Sequence, residues 1–400
     1  PAAGAALGPR PEPRWEGSAM DAPPPRRTLH IAAPRFLATA CRRTRWLLLC
    51  GGLLLLGGCE TLGYYGQAVR GQLGLLFRAR PVEAVLAEPG TEPALAERLR
   101  LAQDLRAFAA AELGIDPGDR YARFVELERD AVLYNVYAAP RFELSPVRWC
   151  FPVAGCVSYR GYFSRPAAER KARRLAEEGY DVHVGPVAAY STLGWFDDPL
   201  LSSFIERPPA DLAELLFHEL AHGVAWVPGE TAFNESFATF VGREGTRRWL
   251  AAQDDAAARE AWEARHRARA FFVAFVLETR ETLEATYAAA RLGGADEAAL
   301  EAVRARAWAA LRARWAQARP PEAAPYDTFF AAPASNARLN TVADYNVHVP
   351  AFAALFRSSG EAFGPFLERV RRLAGAPAEA REAFLAAPGA RATASGAPPG

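Results

Sequence analysis

Apolar positions set the first picture of this 400-residue chain. Residues 92–113 set Leu95 and Leu99, Leu101 and Leu105, and Leu105 and Phe108 three or four apart, which predicts an amphipathic helix. The stretch GYYGQAVRGQLGLLFRARPVE after position 62 also reads as a helix with one apolar face. Residues 119–163 mix short β-prone runs with turns, 167–178 form a charged helix, and DVHVGPV alternates as a strand. From Pro208 the pattern becomes helical: 211–227, then 231–244 capped by Thr231 and stopped by Gly245. A hairpin of long helices over 256–292 and 296–318 follows, then a Pro-rich loop over 319–334 and terminal helices over 351–356 and 361–373. The pattern predicts an α+β protein, mostly helical, with a small mixed α/β platform over 59–207, a helical half over 208–375 and a disordered tail over 376–400.

The first 58 residues read differently. Arg42, Arg43 and Arg45 precede an apolar run over 47–56, then Gly57, Gly58 and Cys59. About ten apolar residues are too few to span a bilayer core of roughly 30 Å, but they fit the apolar part of a signal peptide. The segment Leu56-Gly57-Gly58-Cys59 resembles the bacterial lipobox, which implies cleavage before Cys59 and lipidation of its thiol. The expected address is the periplasmic side of the envelope, as an outer-membrane lipoprotein, because Glu60 is not the aspartate of inner-membrane retention. Of the five cysteines, Cys41 and Cys50 would leave with the signal. Cys150 and Cys156 would then meet in an oxidising compartment, where a disulfide is expected. The Pro-, Ala- and Arg-rich start before Arg42 reads as an extension without a fold. A net charge of +1 gives no reason to expect a nucleic-acid partner.

Within LLFHELAHGVAWVPGETAFNESFA, residues 215–238, lies HELAH. Residues four apart share a helix face, so His218 and His222 can grip one ion, and Glu219 can reach a water beside it. Imidazole suits Zn2+, and a catalytic zinc takes three protein ligands and leaves a position open. The third ligand cannot follow the metzincin pattern, because Ala225 and Pro228 occupy the positions that pattern needs. The reading turns instead to a glutamate beyond the Pro228-Gly229 turn. Glu235, on the first full turn of the next helix, is favoured over Glu230 in the turn and Glu244 at the far end.

With GYYGQAVRGQL, STLGWFDDPLLSSF (191–204) and SNARLNTVADYN (335–346), this segment resembles a bacterial family labelled predicted aminopeptidases, of the gluzincin zinc-protease type. The resemblance spans about 60–360. It implies a zincin-like zinc metallopeptidase acting on peptides, with His218, His222 and Glu235 as ligands and Glu219 as general base. Two departures stand out. Thr239 occupies the place where related enzymes set an aspartate that orients a ligand histidine, which leaves that partner unnamed, with Thr239 and a backbone carbonyl as candidates. There is also no GxMEN-type segment to hold a substrate's free amine, so the exopeptidase label comes from the family name alone.

Tyr345 is the candidate oxyanion donor and Arg338 the candidate substrate clamp, with His348 behind them. Tyr190, Trp195 and Asp197 read mainly as an aromatic core under a loop, and His183 and His266 as structural residues. The runner-up function is a zinc-bearing envelope assembly or chaperone lipoprotein with little or no proteolysis. A purely structural zinc site would want a fourth protein ligand, and no further Cys or His stands near the motif.

Overall fold

The computed structural model describes residues 61–151, 155–189 and 197–387. Cys59, the apolar run before it, Tyr190, Trp195 and residues 388–400 lie outside them. The described chain is mostly helical with three small sheets, an α+β architecture.

The first helix, α1 (61–78), leads through β1 (Arg80–Pro81) and α2 (Val82–Leu86) into α3 (Pro93–Glu112). Pro93 starts α3 because a proline in the first turn gives up an N–H that would have had no partner there. Strand β2 (Arg123–Val125) pairs with β1, and in parallel with β8 (Leu200–Leu201). The larger sheet has the order β6–β3–β7, from β3 (Leu133–Pro140), β6 (Tyr159–Tyr162) and β7 (Tyr180–Val187), all antiparallel. Helix α4 (Arg165–Glu177) packs Ala168, Ala172 and Leu175 onto that sheet. Between them β4 (Trp149–Phe151) and β5 (Gly155–Val157) form a hairpin in which Cys150 and Cys156 face each other and are disulfide-bonded.

Short α5 (Ser202–Ile205) leads into α6 (Pro209–Ala221), and α7 (Thr231–Ala252) packs back along it. Helices α8 (Ala256–Leu292) and α9 (Glu297–Ala318) form the expected antiparallel pair. Then come a 3-10 turn (Pro321–Tyr326), α10 (Asp327–Ala331), α11 (Asn336–Asn346), α12 (Val349–Arg357), α13 (Phe363–Ala374) and α14 (Ala378–Ala386). The largest core draws on both sides of position 207: Leu99 and Leu105 of α3 join Leu212 and Leu216 of α6 and Phe233 and Phe237 of α7. A second core lies under α8 and α9, around Phe272, Trp308 and Trp315.

Several sequence expectations are corrected. The helix expected over 211–227 ends at Ala221, with His222 as its cap residue, still in right-handed helical conformation. Gly245 does not stop α7, which runs on to Ala252. It is there for clearance, since a Cβ on it would lie 2.9 Å from both Leu113 and Phe217. Thr231 is the first helical residue rather than the cap, and its hydroxyl caps nothing. The loop expected over 319–334 contains two short helical segments. The tail expected to be disordered from 376 carries α14, held by a buried Arg381 that forks onto Glu230 and by Phe384 against Phe352.

Candidate metal centre

The site is assembled by the α6–α7 crossing. Gly242 lets the helices approach, since a Cβ there would meet the Glu214 carbonyl at 2.7 Å and the His218 Cβ at 3.3 Å. The Pro228–Gly229 turn reverses the chain between them, with Gly229 at φ 83°. Asn234 closes that turn. Its amide accepts from the Val227 N–H and donates to the Val227 carbonyl, both at 2.8 Å. The disulfide hairpin braces the turn from outside. Gly155, at φ 72°, presses on it so closely that a Cβ would lie 2.5 Å from the Gly229 nitrogen. Arg148 donates to the carbonyls of both Gly229 and Cys156.

The crossing brings His218, His222 and Glu235 together, with their ligand atoms all within 4.8 Å of one another. One carboxylate oxygen of Glu235 lies 3.2 Å from His218 Nε2 and 3.6 Å from His222 Nε2. That buried oxygen makes no regular hydrogen bond. The three groups therefore converge on a common point rather than on each other. Nitrogen and oxygen ligands about 2.0–2.1 Å from a shared ion sit roughly 3.3–3.4 Å apart at a tetrahedral angle, so these separations fit a zinc-sized ion. Among the other candidates, Glu230 is engaged by Arg381, and Glu244 by Arg247 and Arg248.

Electrostatics follow from the burial. Burial alone would raise the Glu235 carboxyl, but the neighbouring His222 and His218 imidazoles together bring it down to about 2. Burial lowers His222, yet Glu235, with Glu219 and Asp198 behind it, carries its pKa above the ordinary value. Glu219 is 7 % exposed, and burial pushes its carboxyl up, with the Glu235 charge adding and the two histidines opposing.

Glu219 and His218 open onto a cavity of about 540 Å³ that is also lined by Thr239, Tyr345 and the chain at Pro186–Ala189. Tyr345 stacks on the His218 ring at 5.8 Å with planes 17° apart. Burial holds its phenol well above the usual range, so it stays a protonated donor. Arg338 is not brought here. Its guanidinium donates to the carbonyls of Ala332 and Pro333 and covers the Phe329 ring, which corrects its assignment as a substrate clamp. His348 also lies away from the cavity lining. Its backbone N–H donates to Ser236, and burial lowers its imidazole. Among the described residues His222 Nδ1 has no hydrogen-bond partner, so Thr239 does not orient it.

Sequence reasoning missed the far wall of the cavity. Glu214, one turn before His218, receives His266 at 2.8 Å and Arg269 at 3.2 Å, and these with Arg243 hold its carboxyl at about 2 against the burial that would raise it. Asp211 pairs with Arg265. Arg207 lines the same wall and has no hydrogen bond or ion pair to its guanidinium among the described residues. The only signal for this wall was helical phase: 207, 211, 214 and 218 lie three or four apart.

The family model for putative aminopeptidases matches residues 63–385. The chain belongs to that family. The match covers the paired helices α6 and α7 and the cavity in front of them, and the family name is consistent, at the coarse level, with a peptidase. No curated protein and no solved structure matches the chain.

Proposed function

We propose that the protein is a zincin-like, gluzincin-type zinc metallopeptidase, anchored in the bacterial envelope through a lipid on Cys59. The observation that carries the reading is Glu235: a buried carboxylate oxygen 3.2 Å from His218 Nε2 and 3.6 Å from His222 Nε2, without a regular hydrogen bond. His218, His222 and Glu235 would hold the metal. Zinc would supply Lewis acidity and bring the pKa of a water down to about 7. Glu219 takes the proton of the attacking water and delivers it to the leaving amine. Tyr345, kept protonated by its burial, donates to the oxyanion as the carbonyl becomes tetrahedral.

The substrate's extended backbone has a natural seat. Among the described residues strand β7 is one of the two edge strands of its sheet, and its end, Pro186–Val187, lines the cavity with His218 and Glu219. A peptide laid along an open strand edge gains backbone hydrogen bonds whatever its side chains. The cavity wall offers no uncommitted carboxylate beyond Glu219 among the described residues, because Asp211 and Glu214 are both paired. This favours internal cleavage over capture of a free amine.

The test is cleavage of a peptide library with free and acetylated amino termini, by purified protein with zinc and with chelator. Cleavage of both sets, lost on chelation and in Glu219→Gln, is the expected result. Zinc content should stay near one per chain in Glu219→Gln and fall in His218→Ala. Cellular function that survives Glu219→Gln would overturn the peptidase reading in favour of an envelope assembly role.

A further inference from the structure

Helix α1 has two unlike faces. Its inner face seats it on the protein. Tyr64 packs against Phe151 and Tyr162, with the Arg160 guanidinium 4.1 Å from its ring centre. The Gln67 side chain accepts from the Phe163 N–H at 2.9 Å, and Leu75 is buried in the main core. Gly71 leaves room for the Phe163 ring, which a Cβ would strike at 2.2 Å. The outer face carries Leu62, Tyr65, Val69, Leu73 and Phe77, exposed by 70, 38, 58, 43 and 84 %. Steps of three and four residues hold all five within an arc of roughly 120°, opposite the inner face. Among the described residues only Leu292 and Val347 are further large exposed apolar side chains, so the exposure is concentrated on this one helix.

We propose that this outer face lies in the surface of a phospholipid bilayer. The proposal rests on the anchor reading above for its choice of occupant. The lipobox cysteine stands three residues before Leu62, so acyl chains on it would hold the start of α1 at the membrane surface. Residues 61–78 contain Arg70 and Arg78 and no Asp or Glu, which suits anionic headgroups. At 18 residues the helix is about 27 Å long, and no described helix is long and apolar enough to cross a membrane. A helix of this kind lies along the interface with its apolar side chains among the upper acyl carbons. Because the inner face is fixed to the sheet, this contact sets the orientation of the whole body on the membrane, which a flexible lipid tether would leave free.

Leu62–Gly400 forms one compact unit, so a chain beginning at Glu60 keeps the fold and carries no acyl group. This chain should co-sediment with vesicles of phosphatidylethanolamine and phosphatidylglycerol. The double substitution Leu73→Glu with Phe77→Glu should weaken that binding at least tenfold while leaving the thermal transition and circular dichroism unchanged. An environment-sensitive fluorophore on Phe77→Cys should shift to the blue on adding vesicles, and the same probe on Glu83→Cys, exposed on α2, should not. Absence of vesicle binding, equal binding by the double variant, or a blue shift at both positions would overturn the proposal. So would a concentration-dependent dimer abolished by the same substitutions, which would assign the face to a second copy of the chain. Mass spectrometry of Cys59 in protein from the membrane fraction tests the anchor separately: the anchor can fail there while the face still binds vesicles, and the reverse.

Discussion

Asn234 and Val227 are joined as two paired backbone residues would be, with the side-chain amide accepting from one peptide group's N–H and donating to the same residue's carbonyl, each at 2.8 Å. The pair is buried, spans the turn between the two metal helices, and sits one residue before Glu235. An aspartate could keep the accepted hydrogen bond but would lose the donated one and leave the Val227 carbonyl facing a carboxylate. Asn234→Asp should therefore cost about 2–3 kcal/mol in the unfolding free energy and lower zinc affinity at least tenfold. Chemical denaturation and metal titration read the two effects. Unchanged zinc affinity would mean that the turn does not position Glu235.

Gly242→Ala gives a prediction with an unusual sign. In an open helix the change is worth about 1 kcal/mol of added stability. Here the new methyl would meet the Glu214 carbonyl at 2.7 Å, between the helices that carry the ligands. The variant should lose about 1–3 kcal/mol and bind zinc poorly while keeping native helix content. A rise in melting temperature would show that the crossing can yield without cost.

Arg207 lines the cavity wall with no hydrogen bond or ion pair to its guanidinium among the described residues, within electrostatic range of Asp211, Glu214 and Glu219. Arg207→Ala should raise KM about five- to tenfold for peptides that carry a carboxylate near the cleaved bond, a loss of roughly 1–1.4 kcal/mol, and leave neutral peptides unaffected. Steady-state kinetics on Glu- and Gln-containing peptide pairs make the comparison. Equal effects on both peptides would assign Arg207 to the fold rather than to substrate.

Asp344 predicts a pH dependence. Burial raises its carboxyl to about 6, the Ser158 hydroxyl at 2.5 Å opposes this, and Glu235, Arg280 and Arg148 face it from neighbouring elements. A folded pKa above the unfolded 3.8 means that the folded state holds the proton more tightly. This contribution is complete below about pH 4 and is lost as pH rises through about 6. In chelator-treated protein, Asp344→Asn should match the parent near pH 4 and exceed it by about 2 kcal/mol at pH 7. A stability difference that does not change with pH would refute the assignment.

What could be read beforehand depended on sequence distance. His218, Glu219 and His222 were legible because one helical turn places them together and nothing distant can alter that. Glu235 needed one further step, a turn, and Pro228-Gly229 signalled it. Arg338 misled because a guanidinium goes to whichever carbonyls the fold presents, and those of Ala332 and Pro333 lie in a loop whose path no local pattern reveals. Gly245 reads as a helix stop in one dimension and proves to be clearance for Phe217 in three. The Glu214 cluster stayed hidden because His266 and Arg269 come from a helix more than fifty residues away.

The contact between Gly155 and Gly229 has a consequence for how this protein can vary. Two stretches of chain touch with room for hydrogen only, one at the tip of the disulfide hairpin and one in the turn that holds the metal helices. A side chain on Gly155 would push directly on the backbone that spaces His222 from Glu235. The two positions are therefore mechanically coupled, and a substitution at the hairpin tip, although outside the cavity, would be felt as a displaced ligand.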